Sequence, residues 1–220
     1  MAPRSLPPAK KRKTDRVSRP AEQIKHLENG LIEAAHGNES LNALPDLLDI
    51  LTTTRDAQLV SKATYGLYRI FVVIITGGKL GLGGDEASKL VKTWLLDQLN
   101  VYVDFLCGLL KDGERTLRVS CRKRHSLFLP LPAEKLQTSA LQILFSLQKH
   151  LSTSSKSQLQ FHLFHFRKIT SALLLCPPSL RLGSQAPHDQ LLDFDIANLF
   201  HETWFSVYDD IRWFFLRESV

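Results

Sequence analysis

From residue 21 onward apolar residues recur at intervals of three and four and seldom two, the period of amphipathic helices rather than of strands. Ile24, Leu27, Leu31 and Ala35 form one stripe, which Gly37 ends. Ser40 is placed to cap a second helix carrying Leu41, Leu44, Leu48 and Leu51, with Pro45 expected to cut or kink it. Asp56 is placed to cap a third, with Leu59, Ala63, Leu67, Ile70 or Phe71, and Ile74 on one face. A glycine-rich loop from Gly77 to Gly84 leads to Asp85 and a long fourth helix bearing Leu90, Trp94, Leu95, Leu99, Val103, Leu106 and Leu110. Leu141, Leu144, Leu147 and Leu151 mark another helix. Leu159, Leu163, Phe166, Ile169 and Leu173 mark the next, which Pro177-Pro178 stops. After a loop from Ser179 to Pro187, an aromatic-rich stretch carries Leu191, Phe194, Leu199, Trp204, Tyr208, Ile211 and Phe215 with a drifting period that suits one helix or two.

A row of helices with short links and apolar faces predicts an all-α chain, an irregular helical-repeat (HEAT/armadillo-like) α-solenoid over residues 21–220. No fixed repeat length is visible, so the repeats are degenerate. An ordinary helical bundle is the alternative architecture.

Residues 119–137, VSCRKRHSLFLPLPAEKLQ, break the pattern. A basic cluster (Arg122, Lys123, Arg124) is followed by Leu-Phe-Leu-Pro-Leu-Pro, which has no helical period. Without these 19 residues, Leu117, Ala140, Leu144, Leu147 and Leu151 fall at offsets of 4, 4, 3 and 4, restoring one amphipathic helix. The segment therefore reads as an unstructured insertion in the helical domain. A retained intron also accounts for it. A splice donor GT(A/G)AGT reads Val-Ser in this frame, a terminal CAG reads Gln, and Ser-Leu-Phe-Leu-Pro-Leu-Pro suits a pyrimidine-rich tract.

Charge is unevenly placed. Residues 1–20 hold seven basic side chains (Arg4, Lys10, Lys11, Arg12, Lys13, Arg16, Arg19) against Asp15, a balance of +6, which equals the net charge of the whole chain. Residues 21–220 are thus neutral. With Pro3, Pro7, Pro8 and Pro20 and no aromatic residue, the tail is expected to be disordered. Lys10-Lys11-Arg12-Lys13 behind Pro7-Pro8 has the form of a nuclear-import signal, with weak RNA contact open to it as a second role. A neutral body argues against a large phosphate-binding face, because each phosphate contact needs a cation.

Cys107, Cys121 and Cys176 are far apart with no CxxC pair, which suits reduced thiols rather than a disulfide framework or zinc site. The tail lacks the apolar stretch of a secretory signal. The apolar run Ile70 to Ile75 is far short of the roughly 20 residues a membrane span needs. No membrane and no small-molecule substrate are expected as partners.

Candidate catalytic chemistry is sparse. The loop Gly77-Gly78-Lys79-Leu80-Gly81-Leu82-Gly83-Gly84 follows Ile70 to Ile75, which alone could be a strand. It lacks the Lys-Ser/Thr pair of a P-loop, and Asp85-Glu86 stand where phosphate would be received. His162 and His165 lie three apart without a third ligand nearby. Asp193, Asp195, Asp209 and Asp210 have no base or nucleophile beside them. No cofactor, no metal and no catalytic residue is expected, and the chain does not read as an enzyme. At the C-terminus, Trp204, Phe205, Tyr208, Trp213, Phe214 and Phe215 crowd 12 positions, too many rings for one side of a helix. Rings on two sides need two partners or a following domain: Trp204 and Tyr208 are expected in the core, and Trp213, Phe214 and Phe215 are the candidate docking surface, expected to receive further sequence.

Several phrases resemble one family. Val101-Tyr102-Val103-Asp104-Phe105-Leu106, Leu109-Leu110 and Thr138-Ser139-Ala140-Leu141-Gln142-Ile143-Leu144 look like the N-terminal region of a fungal nucleolar complex protein 4, as do Trp204-Phe205 and Asp209-Asp210-Ile211-Arg212-Trp213-Phe214-Phe215. The resemblance runs from about residue 21 to the end, apart from the insertion. It implies a nuclear and nucleolar helical-repeat scaffold in ribosome biogenesis, acting in the small-subunit processome, pre-rRNA maturation and pre-40S export. The implied partners are another nucleolar assembly factor and the pre-ribosomal particle. The C-terminal domain of CCAAT-binding-factor type is not seen in this sequence, so a truncated gene model is expected. An armadillo-type nuclear adaptor that binds RNA or acidic ligands directly is the alternative.

Overall fold

The computed structural model describes residues 20–37, 39–81, 85–111, 133–153, 161–174 and 194–219, and the regular elements among them are all helical. In chain order they are α1 (Pro20–Gly37), α2 (Leu44–Thr53), α3 (Ala57–Thr76), α4 (Glu86–Lys111), α5 (Ala133–Thr153), α6 (Leu163–Leu174), α7 (Phe194–Phe200) and α8 (Asp209–Glu218), with a π-helical turn, His201–Phe205, continuing α7.

Local chemistry accounts for the boundaries. Pro20, expected as the last residue of the tail, opens α1, where its missing amide hydrogen costs nothing. Pro45 likewise sits in the first turn of α2, so it starts that helix instead of cutting it. Ser40 does not cap α2: its Oγ accepts from Asn42 N in the preceding turn, at 3.4 Å. Asp56 caps α3 as expected, accepting from the amides of Gln58 (2.9 Å) and Leu59 (3.4 Å). Gly78, at φ +74°, takes the left-handed turn beyond α3 that a side chain would disfavour. Ile70 to Ile75 belong to α3 and not to a strand.

The helices form two layers. In one, α1 packs on α3, α3 on α5, and α5 on α7; in the other, α2 packs on α4, α4 on α6, and α6 on α8. Sequential pairs α1/α2, α2/α3, α4/α5 and α5/α6 close the space between the layers. Contact between every second helix marks a stack of helical pairs, so the solenoid expected from the sequence is the architecture found.

Polar bridges follow the same rule. Arg69 of α3 donates to Glu28 of α1, while Tyr65 and Tyr68 of α3 meet Ser139 and Ser146 of α5, each at 2.8 Å. In the other layer Lys168 of α6 reaches Asp104 of α4 at 2.7 Å, and Arg167 of α6 reaches Glu218 of α8. At Gly66 α3 lies close against α1: an added Cβ would lie 3.3 Å from Glu28 Oε2.

The core runs the length of the stack. Ile24, Leu31 and Leu47 are buried at one end, Leu67, Phe71 and Tyr102 in the middle, and Leu144, Phe166 and Ile211 towards the other. α3 is long and apolar enough to cross a membrane by composition alone, but Leu67, Ile70, Phe71 and Ile74 are fully buried in contacts with neighbouring helices. Of the two readings open for the aromatic-rich stretch, the structure takes two helices, broken at Ser206–Tyr208. Two expectations need correction. Leu90 is exposed, because the first turn and a half of α4 projects beyond its packing partners. Of the segment 119–137, residues 133–137 open α5, and Leu136 and Gln137 are buried; residues 119–132 lie outside the described residues.

Candidate protein-docking surface

The two sets of site residues expected from the sequence fare differently. Lys10, Lys11, Arg12 and Lys13 lie outside the described residues. Trp213, Phe214 and Phe215 lie on α8, and its packing divides them.

Phe214 turns towards α6. Its ring stacks on Phe161 with centroids 4.0 Å apart and meets Phe166 edge-on at 6.4 Å. Phe215 turns towards α7 and its π-helical turn, with Phe200 at 5.0 Å and Phe205 at 5.7 Å. Together with buried Ile211 and the Arg167–Glu218 pair, these rings fasten α8 to the stack. Phe214 and Phe215 therefore serve as anchors first.

Trp213 faces outward, 57% exposed, with the Arg217 guanidinium 5.2 Å from its ring centroid. Leu216, one turn on, is 55% exposed, and Val207 and Tyr208 in the link before α8 are also exposed. Tyr208 was expected in the core; instead it is the residue preceding α8, because the chain turns there. Trp204 is half-buried, its ring stacked on Phe145 of α5 at 4.4 Å. The apolar surface at this end is thus Val207, Tyr208, Trp213 and Leu216. Sequence reasoning missed Val207 and Leu216, which the i, i+3 spacing of Trp213 and Leu216 on one face could have added.

A smaller apolar surface crosses the α4–α6 edge, where Val101 and Phe164 are exposed beside the Asp104–Lys168 pair, with Lys168 Nζ 5.4 Å from the Phe164 centroid. Leu90 and Val91 form a third exposed pair on the projecting start of α4.

Titratable groups are dispersed. Asp85 accepts from Ser88 N (3.0 Å) and Ser88 Oγ (2.6 Å), which holds its carboxyl below the usual range and occupies the N-terminus of α4 with a negative charge. Asp210 accepts from the amide of Ile211 and Asp209 pairs with Arg212, both on the solvated first turn of α8. His165 is buried, its Nε2 hydrogen donated to the Leu144 carbonyl at 3.0 Å, and desolvation lowers its pKa to about 4. His162, half-buried, is lowered in the same direction by the same cause. Thr64 Oγ1, Gln148 Oε1 and Thr170 Oγ1 are buried without a partner, one on each of three helices. Among the described residues no group of three or more His, Cys, Asp or Glu is arranged to hold a metal ion.

The family model described as nucleolar complex protein 4-like, TPR repeats, matches residues 13–220. No curated protein and no solved structure gives a match.

Proposed function

The chain belongs to the nucleolar complex protein 4-like family, and from that membership we propose that it is a non-enzymatic scaffold for assembly of the small ribosomal subunit. The family works in ribosome biogenesis. For this chain the proposed setting is the small-subunit processome and pre-rRNA processing in the nucleolus, with a second nucleolar assembly factor and the pre-ribosomal particle as partners.

One observation carries the reading: the segment around α8 presents large apolar side chains to water. Neither α1 nor α2, which open the stack, has a large hydrophobic side chain among the exposed ones, whereas the α8 end exposes Val207, Tyr208, Trp213 and Leu216. A polar outer face is what closes a helical stack against water. An apolar one is what another protein covers, and a tryptophan beside an arginine has the composition of a binding hot spot. The proposed occupant is a helix of the partner protein, packed on Trp213 and Leu216.

Capture of the tagged full-length chain from cells tests this. Changing Trp213→Ala together with Leu216→Ala is expected to reduce co-purification of the assembly-factor partner and small-subunit pre-rRNA about tenfold, the effect of losing a modest hot spot. Helicity should not change, since both side chains are exposed. Undiminished capture would refute the assignment of this surface. Salt-dependent RNA binding by residues 21–220 alone would point instead to the armadillo-type adaptor.

The basic tail is proposed to supply nuclear entry. Replacing Lys10, Lys11, Arg12 and Lys13 with alanine removes four of the seven cations in residues 1–20. A fluorescent fusion carrying these changes is expected to remain in the cytoplasm; undisturbed nuclear accumulation would show that entry is arranged elsewhere.

A further inference from the structure

We propose that residues 119–137 are a removable cassette, and that the chain without them folds into the same two-layer stack, with α4 and α5 joined by a two-residue turn at Asp112-Gly113. The inference does not depend on the functional reading.

Direction comes first. Tyr65 and Tyr68 of α3 meet Ser139 and Ser146 of α5, so the paired residue numbers rise together and the two helices run the same way. α4 connects the end of one to the start of the other and packs against α5, so it returns the chain to the end where α5 begins. Helices that lie side by side in opposite senses can be joined by two to five residues.

Register is the stronger point. Removing 19 residues moves Leu117 into the sequence place of Leu136, and Arg118 into that of Gln137. Leu136 is 3% exposed and Gln137 6% exposed in the first turns of α5. A leucine therefore replaces a leucine in a core position, and a polar side chain replaces a polar one at the next position. Leu117 is the only apolar residue in Glu114-Arg115-Thr116-Leu117-Arg118, so a cut of any other nearby length loses the match. A deletion one residue shorter, of 119–136, would put Arg118 in the Leu136 position; one residue longer, of 118–137, would put Thr116 there. Glu114 would then fall in the first turn of α5, where negative charge favours the helix dipole. Asp112-Gly113 would remain as the connection, with glycine suited to leaving α4.

The test compares the full chain with three deletions, of 119–137, 119–136 and 118–137, by circular dichroism and thermal melting. The deletion of 119–137 is expected to keep the helical signal and to melt about 4 °C above the full chain, as a long connection is replaced by a short one. The two deletions of altered length are expected to melt about 5 °C or more below it. Leu117→Asp in the shortened chain should lower melting as much as Leu136→Asp does in the full chain. Equal melting of all three deletions, or loss of helicity on removing 119–137, would overturn the proposal. Amplification across this region from cellular RNA should yield a product shorter by nineteen codons; the longer product alone would overturn the shortened chain as a cellular form.

Discussion

Truncating Tyr102 to alanine is expected to cost about 4 kcal/mol of stability and to lower the melting temperature by about 10 °C. The side chain is fully buried in the centre of α4, where it does two things. Its ring stacks on Phe71 of α3, with centroids 5.4 Å apart and planes 17° from parallel. Its hydroxyl donates to the Thr64 carbonyl at 2.7 Å, crossing from one helical layer to the other. Burial pushes the phenol well above its ordinary pKa, so it stays a donor across the accessible pH range. Tyr102→Phe separates the two contributions: it keeps the ring and removes the hydrogen bond, and should cost only about 1 kcal/mol. Urea denaturation of both variants measures the difference. An alanine variant within about 2 °C of the parent protein would show that the layers are held together elsewhere.

Tyr102 also shows where sequence reading stops. The stripes Ile24–Leu31 and Leu141–Leu151 were legible because their burial follows helical period alone. In α4 the same period selects Leu95, Leu99, Val103, Leu106 and Leu110, all buried, and Tyr102, three after Leu99 and four before Leu106, fits it equally well. What the spacing does not reveal is its partners, Phe71 and Thr64, tens of residues away. Leu90 fits the period and is exposed. α4 has 26 residues, about 39 Å, while its neighbours α2, α5 and α6 have 10, 21 and 12, so its periodic stripe outruns the helices that could cover it.

Solenoid and bundle could not be separated by pattern, since both need one apolar face per helix. The contacts between every second helix are tertiary, and they decide it. At the C-terminal end the crowding of rings was visible in the sequence, and with it the need for more than one partner. Which rings turn inward was not: Phe161, Phe166, Phe200 and Phe205 claim Phe214 and Phe215 and leave Trp213 in water. The family phrases survive this sorting because they contain both kinds of residue, Tyr102 and Ile211 in the core and Trp213 outside.

Acidification is expected to destabilise the stack through His165. This ring lies in the core between α5 and α6, donating to the Leu144 carbonyl, with His162 and Lys168 as its nearest positive or protonatable neighbours. Lys168 is engaged by Asp104, and no carboxylate is among the groups that perturb the histidine. Desolvation therefore dominates, opposed in part by the Leu144 hydrogen bond, and the folded-state pKa falls to about 4 from an ordinary 6.5. Between those values the unfolded chain binds a proton that the folded chain does not, so stability rises with pH across this window. The contribution is complete above pH 6.5 and is lost as pH falls towards 4. It amounts to about 3 kcal/mol, at about 1.4 kcal/mol for each unit of pKa difference. His165→Gln keeps an amide donor for the Leu144 carbonyl and removes the titration. Urea denaturation of the two proteins from pH 7.5 to 4 should give curves that diverge by about 3 kcal/mol, the parent falling faster as acid is added. Parallel curves would mean that a charged imidazole is accommodated at this site, and that α5 and α6 separate there more easily than their packing indicates.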